Sequence, residues 1–488
     1  MDRRDAIVLL GGLGLAAPWA SLKAAAGDVR SYGMRPDAAP SANTAALQKC
    51  LNEAKGTAVT IPGADADYQL SGKVTTPPGT TIVLGNGARL RWVETHPHGA
   101  EFLRSASRCG IEVAGDDFHL HGSGKLIGPS KGSYVGQEMG IVCVGGGMEQ
   151  PRSGFEVTDG VEILGWGSRG IALQFVRNVH VEKVRVTDCG YAGMHFLSCV
   201  AGQILGNVVG NIGPGTAGNA YGISCSHDSL DYNKDPRAAD DGRKAKNPYC
   251  TGFTISGNTV FDIPLWAGVD FHGAYDCTAH GNKVYNCRHG VLLQGGSNAA
   301  VDFGGERNSV TGNTVTTSRM NGEPTTIVEA MRLGISVNGG KVVAHRSIVV
   351  SDNTIDGYGD SQNTSPSIQH TYTAGLEVSN NRITNWKGYG CYCHHSQGVI
   401  ENNTFGPVAD PRSTACIYVA VGGALRIVGN RLVVNGGRAP MYGLYINTPT
   451  DAPYVIQGND FRAATGQPYA GQSGSRLSPA QIAGGRIT

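Results

Sequence analysis

Apolar and polar positions recur along the second half of the chain in one fixed frame. Asn207, Asn258, Asn282, Asn313, Asn353, Asn381, Asn403, Asn430 and Asn459 each have an apolar residue three places before and another two places after. The closer intervals are 22 to 31 residues, too short for a unit that buries its own apolar face, so neighbouring units must stack into one continuous core. Each unit alternates β-branched with polar residues and turns at Gly or Asn, as from Ile255 to Val260, which is the period of a strand and excludes a helical solenoid. The pattern predicts an all-β chain, a right-handed parallel β-helix of about three short strands per coil, with rungs about 4.8 Å apart. The asparagines are expected at its turns, in left-handed backbone, bonded to the copies above and below.

A second pattern sets the direction of the side chains. Gly170, Gly193, Gly222, Gly268, Gly290, Gly334, Gly390 and Gly443 each open a short strand whose first and third following residues are apolar or Cys. Those residues should point into the core. Period two then sends the second and fourth outward: His195, Ser224, Ser226, Asp270, His272, Gln294, Ser336, Asn338, Tyr392, His394, Tyr445 and Asn447. Eight such rungs make a polar face roughly 35 to 40 Å long, suited to a linear polymer.

Towards the N-terminus, residues 43–55 place Ala46, Leu47, Cys50, Leu51 and Ala54 at helical spacing behind Asn43 as a cap, predicting one short amphipathic helix. Together with the segments VRSYGMRPDA, NTAALQKCL, VTIPGADADYQLSGKV and GTTIVLGNGARL, this stretch resembles the opening of the pectate-lyase-like β-helix proteins, which include polysaccharide lyases, glycoside hydrolases and phage tailspikes. That resemblance implies that the helix, within a cap of about residues 27–60, closes the first open rung. Residues 27–488 then read as one β-helix domain, interrupted by polar insertions at 227–249 and 359–372.

Arg3 and Arg4, an apolar run from Ala6 to Ala17 and the small residues Ala24 to Ala26 give residues 1–26 the layout of an export signal, of the twin-arginine or the general secretory type. The expected location is periplasmic or extracellular, with no membrane insertion of the mature chain. A net charge of +1, with 16% charged and 7% aromatic residues, lacks the footprint of a nucleic-acid binder. All twelve cysteines lie in the mature part. Cys225, Cys391 and Cys393 fall on core-facing positions and read as buried thiols, and Cys277 with Cys287 is the pair that an oxidising compartment would test.

On the outward face, Asp270 and His272 stand on one strand, with Ser224 and Gln294 on flanking rungs. The stretch from Gly268 to Gly290 resembles the alginate C5-epimerases, whose β-helix carries a D-x-H strand, a Tyr, an N-x-V turn and an H-G opening the next strand. The matching residues are Asp270, His272, Tyr275, Asn282, Val284, His289 and Gly290. The pattern departs at Phe271, where that family has Pro, and at Gln294-Gly295, where it has a basic residue. Both epimerisation and β-elimination of a uronic acid begin with loss of the proton beside the carboxylate. His272 fits the base; Asp270 would orient it, Tyr275 would deliver or return a proton, and Arg288 or His289 would offset the carboxylate. His195, Ser224, Gln294, Asn338, Tyr392 and His394 are the expected substrate contacts. No metal site or other cofactor is indicated; a Ca²⁺ site would need clustered carboxylates, and the face shows one Asp per strand. The expected partner is a linear polysaccharide, with uronic acids as its candidate residues, and the expected activity is that of a polysaccharide lyase or uronate C5-epimerase. Two alternatives stand beside it: a glycoside hydrolase pairing Asp270 with Asp228, Asp231, Asp240, Asp241 or Asp276, and a glycan-binding β-helix without catalysis.

Overall fold

A computed structural model describes residues 27–54, 57–97, 108–130, 138–213, 219–227, 249–298, 301–327, 332–341, 344–360, 365–410, 412–448 and 454–471. The export-signal stretch lies outside them. The strands coil into three parallel sheets. The first runs through Arg169–Gln174, Ala192–Leu197, Tyr221–Ser226 and the ends of the long strands Thr259–His272 and Lys283–Gln294. The second includes Phe118–Gly122, Arg152–Val157 and Val176–Glu182. The third includes Arg185–Cys189, Val208–Ile212 and the beginnings of the same long strands. The core is one continuous column of Val, Ile, Leu and Phe.

The nine asparagines form an unbroken ladder, buried from Asn207 to Asn430. From Asn207 to Asn430, each donates its Nδ2 and its backbone N–H to the Oδ1 of the next, every Nδ2 link being 2.9 Å. The same Nδ2 donates to a backbone carbonyl of the preceding coil, as Asn282 does to Ile255 at 2.9 Å. The left-handed conformation, however, belongs to the residue before each asparagine: Gly206, Gly257, Gly281, Gly312, Asp352, Asn380, Asn402, Gly429 and Gly458. The bend therefore falls one residue early, and the asparagine is left free to point inward and bond along the axis.

The glycines that open the first-sheet strands are fixed by space. A Cβ on Gly170, Gly193, Gly222, Gly268 or Gly290 would lie 2.1 to 2.7 Å from a methyl of Val186, Val209, Val260, Val284 or Val315, on the third-sheet strand that the chain reaches next. Each glycine thus faces inward at a tight corner, and so does the residue after it. Alternation is broken there, which turns the residue before each glycine outward. This adds a third outward column to the two predicted: Arg169, Ala192, Tyr221, Ala267, His289 and Leu333.

Two rungs lack the glycine signal. Ile368–Thr371 lies between the Gly334 and Gly390 rungs, and Ala415–Val428 between those of Gly390 and Gly443, so that ten rungs rather than eight run from Gly170 to Gly443, and the sheet continues beyond both. At the N-terminal end the helix spans Pro40–Ala54. Proline suits a first helical turn, whose N–H has no partner, and the helix begins three residues earlier than predicted. Asn43 is not its cap; it is buried, accepting from Arg35 N–H and donating to the Arg35 and Gln69 carbonyls. Thr44 and Gln48 donate to the carbonyls of Ser71 and Thr75, so the helix satisfies open strand edges as a cap must. All twelve cysteines are buried free thiols. Cys277 and Cys287 occupy different sheets and point to their own local carbonyls, of Tyr275 and Tyr285.

Candidate functional site

The first-sheet face carries two further outward columns. One reads His195, Ser224, Asp270, Leu292, Ser336, Gln369, Tyr392, Tyr418 and Tyr445; the other reads His272, Gln294, Asn338, Thr371 and His394. Their direction is as the sequence predicts. Their solvation is not: Asp270, Ser224, His195 and Ser336 are buried. The unforeseen column before the glycines closes over them, since Tyr221 packs with Ala192, Ala267 and Leu292, and Tyr191 and Trp266 lie against that group.

Asp270 has 0% exposure. Its Oδ2 accepts from the Ser224 hydroxyl at 2.9 Å, while Oδ1 is buried without a partner. Burial raises the carboxyl from 3.8 to about 7, the Ser224 bond opposing the rise. At neutral pH it is poised between its two states. His272 Nδ1 lies 3.9 Å from Asp270 Oδ2, and its side chain retains 29% exposure. Burial, then the neighbouring His345, hold this imidazole below its ordinary range, so it is neutral at pH 7. Its ring stacks on Phe303 at 5.0 Å and lies 5.9 Å from His227. His227 and Tyr249, in contact at 4.4 Å, are the two roots of the polar insertion. The insertion therefore springs from beside His272, although residues 228–248 lie outside the described ones.

One rung before Ser224, His195 Nδ1 accepts from Arg169 Nε at 3.0 Å. Burial and then Arg169 keep that imidazole neutral. Arg169 also lies over the Tyr191 ring at 4.5 Å, and Tyr191 meets Tyr221 at 5.5 Å. Burial, then the charge of Asp270, push the Tyr221 phenol well up. Arg169 and Tyr221 were missed because strict alternation assigns the residue before each glycine to the core, and Tyr191 because it precedes its strand, Ala192–Leu197; the readable signal was that Arg and Tyr before those glycines cannot be buried cheaply there.

The remaining predicted residues are spread out. His289 is in a strand, not a turn, 4% exposed, with its ring 4.7 Å from Trp266. Burial and then Arg288 lower it to about 3. Arg288 is half-buried, donates to the Leu265 carbonyl at 3.2 Å and lies over Trp266 at 5.3 Å. Tyr275 sits beyond the Gly273 turn, bridged to Thr251 and Glu306 in the second sheet and packed on Tyr249 at 5.6 Å. Gln294 and Asn338 follow His272 by one and two rungs. Tyr392 and His394 are four rungs away, about 19 Å. His394 is close to Tyr372 at 5.4 Å and His395 at 4.4 Å.

A family model described as "Right handed beta helix region" matches residues 267–461. No curated protein matches the sequence. Among solved structures, the pre-mature gene product 12 of bacteriophage phi29 is similar at 12% identity and a TM-score of 0.57, over 92% of this chain and 58% of that one. The tailspike of E. coli bacteriophage HK620, solved with a pentasaccharide, gives 12% and 0.51 over 92% and 78%. The Streptococcus pneumoniae surface protein and adhesin PfbA gives 13% and 0.50 over 86% and 100%. At such identities the likeness is one of fold. The chain has the fold of a right-handed parallel β-helix, and among the described residues no helix is long and apolar enough to cross a membrane.

Proposed function

We propose that the chain acts on a polysaccharide at the Asp270–His272 face, removing the C5 proton of a uronosyl residue as a lyase or an epimerase does. One observation carries this reading: a buried carboxyl, poised near neutrality and with one oxygen unsatisfied, lies 3.9 Å from a half-open neutral imidazole. His272 is the base because it is the member that solvent and a substrate reach. When it takes up a proton, the ionised form of Asp270 stabilises the imidazolium across the short gap. Tyr221, beside Asp270 and firmly protonated, replaces Tyr275 as proton donor, and Arg288, one rung along, supplies positive charge for the substrate carboxylate.

Hydrolysis is the second reading, because a carboxyl raised to about 7 also suits a general acid. It needs a second carboxylate roughly 5 to 10 Å away. Among the described residues, Asp270 is the one acidic side chain in the outward columns of the first sheet from Arg169 to Thr448, and Asp276 is held by Arg307 at 2.6 Å; Asp228, Asp231, Asp240 and Asp241 lie outside the described residues. The test is a panel of uronic-acid and neutral polysaccharides assayed with wild type and His272→Ala. The reading expects unsaturated ends or inverted uronosyl residues, and a turnover lower by about 10² to 10⁴ in the variant. The ring is outward, so its loss should cost within about 1 kcal/mol of stability. Reducing ends without unsaturation mean a hydrolase, and binding without turnover means a glycan-binding protein.

A further inference from the structure

The second sheet carries a cluster of ligand-type side chains on a different face from Asp270. The strand Phe118–Gly122 reads FHLHG. Phe118 and Leu120 enter the core, so His119 and His121 leave together on the outer side, their rings stacked 5.8 Å apart and 14° from parallel. On the next rung Phe155 and Val157 enter the core and Glu156 leaves it, in direct register with His119. His119 Nδ1 is 3.3 Å from Glu156 Oε2, and His121 Nδ1 is 3.7 Å from Glu156 Oε1. One ligand atom from each of the three lies within 4.8 Å of the others. The side chains are 28%, 20% and 10% exposed, leaving the cluster open on one side.

We infer that His119, His121 and Glu156 form a binding site for one divalent transition-metal ion. Two imidazoles and a carboxylate are a donor set for Zn²⁺, Co²⁺, Ni²⁺ or Cu²⁺, whereas Ca²⁺ and Mg²⁺ prefer oxygen alone. Ligands at about 2.0 to 2.1 Å in a tetrahedron stand roughly 3.4 Å from one another, close to the two separations to Glu156. The His119–Glu156 contact is a long hydrogen bond that an ion would replace, and His121 Nδ1 stands beyond hydrogen-bond distance of Glu156. His121 Nδ1 is hydrogen-bonded to the Thr158 hydroxyl at 2.7 Å, a bond that the ion would displace, and Asp159 Oδ2, at 3.8 Å from the same nitrogen, or a water would fill the fourth position. His180, in register with Glu156 on the following rung, turns to Glu182 at 3.2 Å and stays outside. The ion would tie two rungs together.

The experiment uses the untagged full chain, stripped with EDTA and titrated with ZnCl₂ by calorimetry and with CoCl₂ by visible absorption. One equivalent of Zn²⁺ and the intense bands of low-symmetry Co²⁺ are expected, with a melting temperature that rises on Zn²⁺ addition. His121→Ala and the isosteric Glu156→Gln should each weaken Zn²⁺ by more than the 10 to 100-fold typical of an outer-shell change, while His180→Ala leaves it within a few fold. All three are outward positions, and circular dichroism confirms that each variant folds. No saturable binding, or binding unchanged in Glu156→Gln, overturns the site. Displacement of Zn²⁺ by Ca²⁺ would overturn the donor-set argument.

Discussion

Replacing Asp270 by Asn measures what a buried charge costs this fold. In the unfolded chain the carboxyl titrates near 3.8, and in the folded chain at about 7. Below pH 3.8 both states are protonated and the group contributes no pH dependence. Between the two values the unfolded chain has released its proton while the folded one still holds it, so stability falls as pH rises, by about 1.4 kcal/mol per unit. Over the whole interval the loss is about 4 kcal/mol, complete near pH 8. The Asn variant cannot ionise and escapes that loss. It has its own cost: with its carbonyl still accepting from Ser224, its amide takes the place of the unpartnered Oδ1, and a buried amide without an acceptor costs about 1 to 3 kcal/mol. The two lines therefore cross. Asp270→Asn should be less stable than wild type at pH 4 by about 1 to 3 kcal/mol and more stable at pH 8 by a similar amount. Urea denaturation at unit pH intervals from 4 to 8 reads this directly. Parallel pH profiles for the two proteins would show that Asp270 is solvated after all, and with it would go the account of a poised carboxyl.

Asn313→Ala, in the middle of the ladder, leaves the Asn282 N–H and Nδ2 without their acceptor and should cost more than about 3 kcal/mol in urea melts. Asn459→Ala, at the open end, should cost less, because its amide is half-buried and has no asparagine beyond it among the described residues; equal costs would argue against a cooperative ladder. Gly290→Ala brings a Cβ to 2.1 Å from Val315 and should lose about 1 to 3 kcal/mol, and a double-mutant cycle with Val315→Ala should return a coupling above about 0.5 kcal/mol. Replacing residues 228–248 by a short Gly-Ser turn should weaken use of a true substrate with little change in melting, since the insertion is rooted at His227 and Tyr249 beside His272; unchanged kinetics would make it decoration.

The coil was legible because its signals are steric and repeat: Asn313 must be inward and paired, Gly290 must lack a Cβ, and the alternation after Gly290 sends Val291 and Leu293 to the core. What escaped was local. Ser367 and Cys416 stand where a glycine is expected, which concealed two rungs and therefore Gln369 and Tyr418. The corner that places two consecutive residues inward cannot be seen from period two, and it hid Arg169 and Tyr221. Without that column Asp270 reads as solvated; with it, as buried and raised in pKa. His119 and His121 were plain in the sequence as FHLHG, but their partner Glu156 lies 37 residues on, and only the register brings it opposite.

The face changes character along its axis, and the change bears on how a polymer would lie there. Around Asp270 the outward groups are ionisable and enclosed. Four rungs further, Tyr392, Tyr418 and Tyr445 stack at 5.7 and 5.2 Å with interplanar angles of 5° and 4°. Their faces are turned to one another, so the edges and hydroxyls are what the column offers. Sugar rings that pack flat on an aromatic face would find no free face between these three, whereas hydroxyls and carboxylates can bond to a row of phenols spaced by the rung repeat. A linear glycan lying along the axis would then be held by hydrogen bonds at the tyrosine end, while about 19 Å away a residue of the same chain rests on the half-open imidazole of His272.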